Sequence, residues 1–156
     1  MKKKIAIRKI FTVLTIFAGV LLVSNCGSSK ESLTISEEEK NAFASVEGDT
    51  VKISDEDTEY EIIIIDPGFY TWLNSIARPE GYYSKTFLEN RNQLLVLNWN
   101  QRAITPNNYD PNLYLMQIDY QPSIDYGYEV NYKLYNYFIY FQRKYNQRLG
   151  PFVPRI

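Results

Sequence analysis

The chain has 156 residues, with 17 Lys and Arg, 18 Asp and Glu, one cysteine and no histidine. Those counts exclude Ser-His and Cys-His nucleophile pairs, histidine metal ligands, cysteine-rich zinc sites and any intrachain disulfide. Lys2, Lys3, Lys4, Arg8 and Lys9 precede Ile10 and no acid does, so the rest of the chain holds 12 bases against 18 acids, a balance of −6 that argues against a nucleic-acid partner.

The basic head leads into an uncharged run from Ile10 to Asn25 that includes Phe11, Leu14, Ile16, Phe17, Val20, Leu21, Leu22 and Val23. A basic head, an apolar run shorter than the roughly 20 residues of a membrane span, and a polar cleavage region make up a secretory signal peptide. The junction Leu22-Val23-Ser24-Asn25-Cys26-Gly27 resembles the lipobox of bacterial lipoproteins, with Asn25 where a small residue is usual. Residues 1–25 are therefore expected to be removed and Cys26 to become an acylated first residue. Each buried methylene adds about 0.8 kcal/mol, so several chains on Cys26 would hold the protein on a membrane where one chain binds weakly.

Residues 26–48 are rich in Ser, Glu and Lys and read as a flexible tether. Within them Ser36-Glu37-Glu38-Glu39 has the form of a capping box, Ser36 as N-cap and Glu39 three residues on, which predicts a short helix. A globular domain is expected over 49–156. Its first strands are predicted at Thr50–Ile53 and Tyr60–Ile65, around the acidic turn Ser54-Asp55-Glu56-Asp57, and the four isoleucines 62–65 suit a strand covered on both faces. Asp55, Asp57, Glu59 and Asp66 have some of the spacing of a calcium loop. Tyr60 stands where such a loop needs glycine, and the isoleucines occupy its last third, so a solvated turn is the better reading.

Asp66-Pro67-Gly68 ends the second strand and reads as a helix start, Asp66 as N-cap and Pro67 at the first helical position. Phe69, Trp72, Leu73 and Ile76 then recur at helical spacing up to Arg78-Pro79-Glu80-Gly81. Ser84 begins a longer helix with Phe87, Leu88, Leu94, Leu95 and Trp99 as its apolar stripe, ending between Arg102 and Thr105. The alternation over Tyr114–Tyr120 predicts a third strand, closed by Pro122. Val130, Leu134, Tyr137, Phe138, Phe141 and Tyr145 predict a final helix over about 129–149, with Gly150-Pro151 as cap and stop. The expected architecture is a single small α+β domain, about three antiparallel strands packed against three helices.

Carboxylates are the catalytic groups left, and Asp119, Asp125 and Glu129 cluster around Pro122 and Gly127. Two of them facing one cleft would suit glycan cleavage; the alternative is that Asp125 caps the final helix and the others are solvated. No glycine-rich phosphate loop is present and no cofactor or metal is expected. Tyrosine is the most unusual feature, 14 residues in all. Tyr137 and Tyr145 read as core, while Tyr82, Tyr83, Tyr126 and Tyr128 fall at loop or helix-start positions where amphipathic rings suit recognition. Arg91 and Arg102 are placed to fork onto a carboxylate such as Glu129.

The segments Tyr60-Glu61-Ile62-Ile63-Ile64-Ile65-Asp66-Pro67-Gly68-Phe69, Gly81-Tyr82-Tyr83-Ser84, Leu88-Glu89-Asn90-Arg91-Asn92 and Asp125-Tyr126-Gly127-Tyr128-Glu129-Val130-Asn131-Tyr132 resemble an uncharacterised family of flavobacterial envelope lipoproteins, a domain of unknown function. The resemblance implies an outer-membrane lipoprotein of a Gram-negative bacterium and carries no catalytic residue. Together the readings predict a periplasm-facing, membrane-anchored module, leaning away from enzyme, that binds another envelope protein. Tyr82, Tyr83, Tyr126, Tyr128, Arg91 and Glu129 are its candidate binding residues. The alternative is a carbohydrate-binding or carbohydrate-cleaving module.

Overall fold

The computed structural model describes residues 33–45, 51–54, 61–64 and 66–156, with 51–54 and 61–64 described in their backbone alone. The leader, Cys26 and the acidic turn lie outside the described residues. Helix α1, Glu37–Phe43, starts on the predicted capping box: Ser36 Oγ accepts from Glu39 N at 3.1 Å, and Glu39 Oε2 accepts from Ser36 N at 3.2 Å. Seven residues are too few for a stable isolated helix, so tertiary contacts hold it. Ala42 and Glu39 are the buried residues that make those contacts.

Strands β1, Val51–Ser54, and β2, Glu61–Ile64, pair antiparallel with Val51 opposite Ile64 and Ser54 opposite Glu61. Helix α2, Phe69–Ser75, buries Phe69, Trp72 and Leu73, the predicted face. Its N-cap is Gly68 rather than Asp66. Gly68 has φ +89°, and a Cβ there would lie 2.5 Å from the carbonyl oxygen of Ala42. Glycine therefore serves two needs at this turn, a left-handed backbone and the close approach of α1.

Helix α3, Lys85–Ala103, starts at Ser84, whose Oγ accepts from Phe87 N at 3.2 Å. Leu88, Asn92, Leu95, Val96 and Trp99 form its buried face at three- and four-residue steps, and Leu94 falls off that row into solvent. Helix α4, Gly127–Lys144, is the centre of the unit, with every residue from Leu134 to Arg143 buried. It stops at Lys144 instead of near Leu149, because Asn146 turns left-handed at φ +49°, a conformation that Asn tolerates better than most residues. Around α4 the rings interlock: Trp99 meets Phe141 at 4.8 Å and Tyr114 at 5.0 Å, and Tyr140 lies 5.5 Å from both Phe43 and Phe69 and 5.7 Å from Trp72.

The α+β expectation is corrected. Among the described residues, all those with placed side chains lie in helices and loops, the single strand pairing is the two-stranded hairpin, and the three helices expected of the domain are joined by the short helix expected at Ser36. The third strand, Tyr114–Tyr120, is an extended loop. Burial does not follow the predicted alternation: Tyr114 and Ile118 are buried, but Met116, between them on the same predicted face, is 68% exposed, as is Leu115 at 78%. What replaces a neighbouring strand is side chains of α3. Asn100 Oδ1 accepts from Ile118 N at 2.8 Å while its Nδ2 donates to Ile118 O at 2.9 Å, and Trp99 Nε1 donates to Met116 O at 2.9 Å. A primary amide can satisfy an extended residue as a sheet partner would, and period-two patterning does not distinguish the two.

Two buried ion pairs tie the elements of Leu33–Ile156 together. Glu39, fully buried, receives Arg143 in a fork, Nε to Oε1 at 2.5 Å and Nη2 to Oε2 at 2.6 Å, and Trp72 Nε1 donates to it at 3.3 Å. Arg143 also donates from Nη2 to Thr34 O at 3.0 Å and from Nη1 to Pro154 O at 3.1 Å. Burial pushes the Glu39 carboxyl up, but Arg143, the Ser36 amide and Trp72 together outweigh it and hold the group below its ordinary value. Asp66 forms the second pair: its Oδ1 accepts from Lys144 Nζ at 2.8 Å and from the Tyr140 and Tyr145 hydroxyls at 3.2 Å each. Burial and the Asp66 charge raise both phenols, that of Tyr145 to about 12.

Candidate binding cleft

A four-residue step on one helix brings side chains into a ridge. Tyr83, just before α3, continues the row that Phe87, Arg91 and Leu95 form along that helix, and Tyr135, Ile139 and Gln142 form its counterpart on α4. The tail after Leu149 is drawn across them, anchored by Leu149 N donating to Gln142 Oε1 at 2.8 Å and by Arg143 on Pro154 O. Between the two ridges and Pro151–Arg155 lies a cleft of about 430 Å³. That is within the size range of small-ligand sites.

Its walls are ordered by ring contacts. Tyr83 and Phe87 stack at 4.8 Å and 10°, and Tyr135 meets both edge-on, at 5.3 and 5.8 Å. The Arg91 guanidinium lies 5.1 Å from the Phe87 ring centre and 3.4 Å from that of Phe152. Contact over the rings positions the guanidinium without using its N–H donors. Among the described residues no Asp or Glu lines the cleft and no carboxylate pairs with Arg91. Burial, reinforced by Tyr83, raises the Tyr135 phenol well above its ordinary value, so it stays a neutral wall at any physiological pH.

The sequence matches DUF6146, described as a family of unknown function, over residues 13–153. The chain belongs to that family. No curated protein and no solved structure matches it. In this DUF6146 chain the cleft between α3, α4 and the tail is a concave feature on which a function can be argued.

Of the residues that the sequence singled out, Tyr83 and Arg91 reach the cleft. Tyr82 is 58% exposed beside it, with the Arg78 guanidinium 5.0 Å from its ring centre. Tyr126 is buried, stacked on Tyr120 at 4.8 Å, and its hydroxyl accepts from Gln121 N at 2.9 Å. Tyr128 uses its hydroxyl to join loop to helix, accepting from Gly81 N at 2.7 Å and donating to Tyr83 O at 3.2 Å. Glu129 pairs with Lys133, one turn on in α4, rather than with an arginine. Arg102 donates to the Tyr114 hydroxyl at 2.7 Å and to Arg148 O.

The three candidate catalytic carboxylates all lie outside the cleft lining. Asp125 pairs with Lys85 at 2.5 Å and accepts from Gly127 N at 2.9 Å, so it serves the start of α4; the Lys85 contact holds its carboxyl below its ordinary value. Asp119 accepts from Gln121 Nε2 at 3.4 Å. Among the described residues no group of acids could hold a metal ion, and no helix is long and apolar enough to cross a membrane. Tyr135, Phe152 and Arg155 were missed as cleft residues. The four-residue row Tyr83, Phe87, Arg91, Leu95 was the available signal, because it places an arginine one turn after two aromatic residues on one ridge.

Proposed function

We propose that this chain is a non-enzymatic binding module, held on the periplasm-facing side of an outer membrane by acyl chains on Cys26, that presents the α3–α4 cleft to another envelope protein. The observation that carries the binding role is the chemistry of the lining. It offers aromatic rings, aliphatic side chains and a guanidinium, and among the described residues it holds no nucleophile–base pair and no carboxylate with which to turn a substrate over. The anchor is supported by the basic head, the apolar run and the placement of the one cysteine where the chain turns polar. The family match begins at residue 13 and so takes in this junction.

Two measurements test the reading. Intact-mass analysis of protein purified from membranes should find the chain beginning at Cys26 with its thiol and amine acylated; an unmodified Cys26 would remove the anchor. A benzophenone side chain in place of Phe152, which lines the cleft, should give a discrete protein adduct in living cells. The same group in place of Leu115, 78% exposed and outside the lining, is the control. Equal labelling from the two positions would overturn the cleft as the site of contact.

A further inference from the structure

The lining also indicates which chemistry it recognises, and this step rests on the binding reading above. We propose that the cleft takes a short acidic peptide segment of the partner, with a carboxylate side chain on the Arg91 guanidinium and a neighbouring apolar side chain against the rings. Arg91 is a cation packed against the Phe87 and Phe152 rings, so its position is set before a ligand arrives. A guanidinium presents its donors in a planar fork that matches a carboxylate, and no acid in the lining competes for it.

Phe87 gives one face to Tyr83 and meets Tyr135 edge-on and Arg91 besides, while Phe152 gives one face to Arg91 and is 38% exposed. What stays available is the guanidinium edge and the exposed part of the Phe152 ring, whereas Leu95 and Ile139 are buried. Those suit an acidic residue flanked by an apolar one.

The test uses the acylated chain in phosphatidylcholine nanodiscs, with the arginine Nε–Hε resonances followed by NMR and that of Arg91 assigned by its loss in Arg91→Gln. Acetyl-Leu-Glu-Leu-amide should shift Arg91 and bind at least tenfold more tightly than acetyl-Leu-Gln-Leu-amide. Arg91→Gln should abolish that tenfold preference while melting as a folded protein, and Arg91→Lys should not restore it, since an ammonium lacks the planar fork. Equal affinity for the two peptides, or an unchanged preference in Arg91→Gln, would overturn the inference. So would a response confined to galacturonate oligomers, inorganic phosphate, phosphatidylglycerol vesicles or a second copy of the chain, or no response at all. If these peptides fail while the Phe152 adduct still forms, the ligand class is wrong and the cleft stands; if the adduct is also missing, the binding reading fails.

Discussion

Arg143 on α4 and Arg91 on α3 are the same residue type in one helical unit, with opposite surroundings. Arg143 is 6% exposed in its side chain and gives its donors to Glu39, Thr34 and Pro154, closing α1 and the tail onto α4. Arg91 is held by ring faces and pairs with no carboxylate among the described residues. An arginine with its hydrogen-bonding edge filled from within the chain is a structural clamp. One with its faces packed and its edge unfilled is oriented toward something outside the chain.

The comparison is most sharply broken at Arg143. Removing it leaves Glu39 buried without its counter-charge, a change that costs about 3–5 kcal/mol in comparable buried pairs. Urea unfolding of Arg143→Ala should show a loss of that order, and a loss under about 1 kcal/mol would mean the clamp holds little. Gly68→Ala attacks the same docking of α1 from the other side, since a Cβ there meets Ala42 O at 2.5 Å on a left-handed backbone. About 1–3 kcal/mol of destabilisation is expected from the strained backbone conformation, with further loss from the displaced helix. Thermal unfolding would read it directly.

Acid tests the clamp without mutation. The folded Glu39 carboxyl is held below its ordinary value of 4.5, so its contribution is fully present above 4.5 and is lost as the pH falls through the depressed value. Unfolding free energies measured between pH 7 and pH 3 should fall more steeply for the native chain than for Glu39→Gln. Parallel slopes would count against the clamp. The smallest stability effect is expected at Arg91. Arg91→Gln gives up ring contacts worth about 1 kcal/mol and leaves the fold intact, while the Phe152 adduct should weaken severalfold. If stability falls as far as in Arg143→Ala, the two arginines do not differ in role.

Legibility in the sequence followed the type of signal. The helices announced themselves through apolar spacing and caps: the Ser36–Glu39 box, the Phe69–Trp72–Leu73 face and the Ser84 start are all present. The strand predicted over Tyr114–Tyr120 misled because an Asn100 amide from a distant helix satisfies Ile118 as a strand would. Asp66 looked like a helix cap, since Asp-Pro-Gly fits one. The groups that claim it, the Lys144 ammonium and the Tyr140 and Tyr145 hydroxyls, lie more than seventy residues away. The burial of Glu39 was equally hidden, because a charge-rich segment gives no sign of which acid will meet a buried arginine.

The cleft was half legible. Tyr83 and Arg91 drew notice for their residue types, whereas Phe152 and Tyr135 join them only once the tail has folded back over α3 and α4. Tyr126 and Tyr128 were chosen on the same grounds as Tyr83 and became structural, their hydroxyls taken by backbone groups. A tyrosine is free for recognition only when the fold leaves its polar tip unused, and that depends on contacts far along the chain.

Proton exchange at the arginine side chains, followed by NMR on uniformly folded protein, tests the contrast most directly. The Arg143 Nε–H, sealed behind Glu39, should exchange slowly and open only with the unit as a whole, whereas the Arg91 Nε–H should exchange at close to the rate of a solvated arginine. Equal protection at the two sites would mean that Arg91 is also locked within the structure, and the cleft would lose its claim to be where this chain meets its partner.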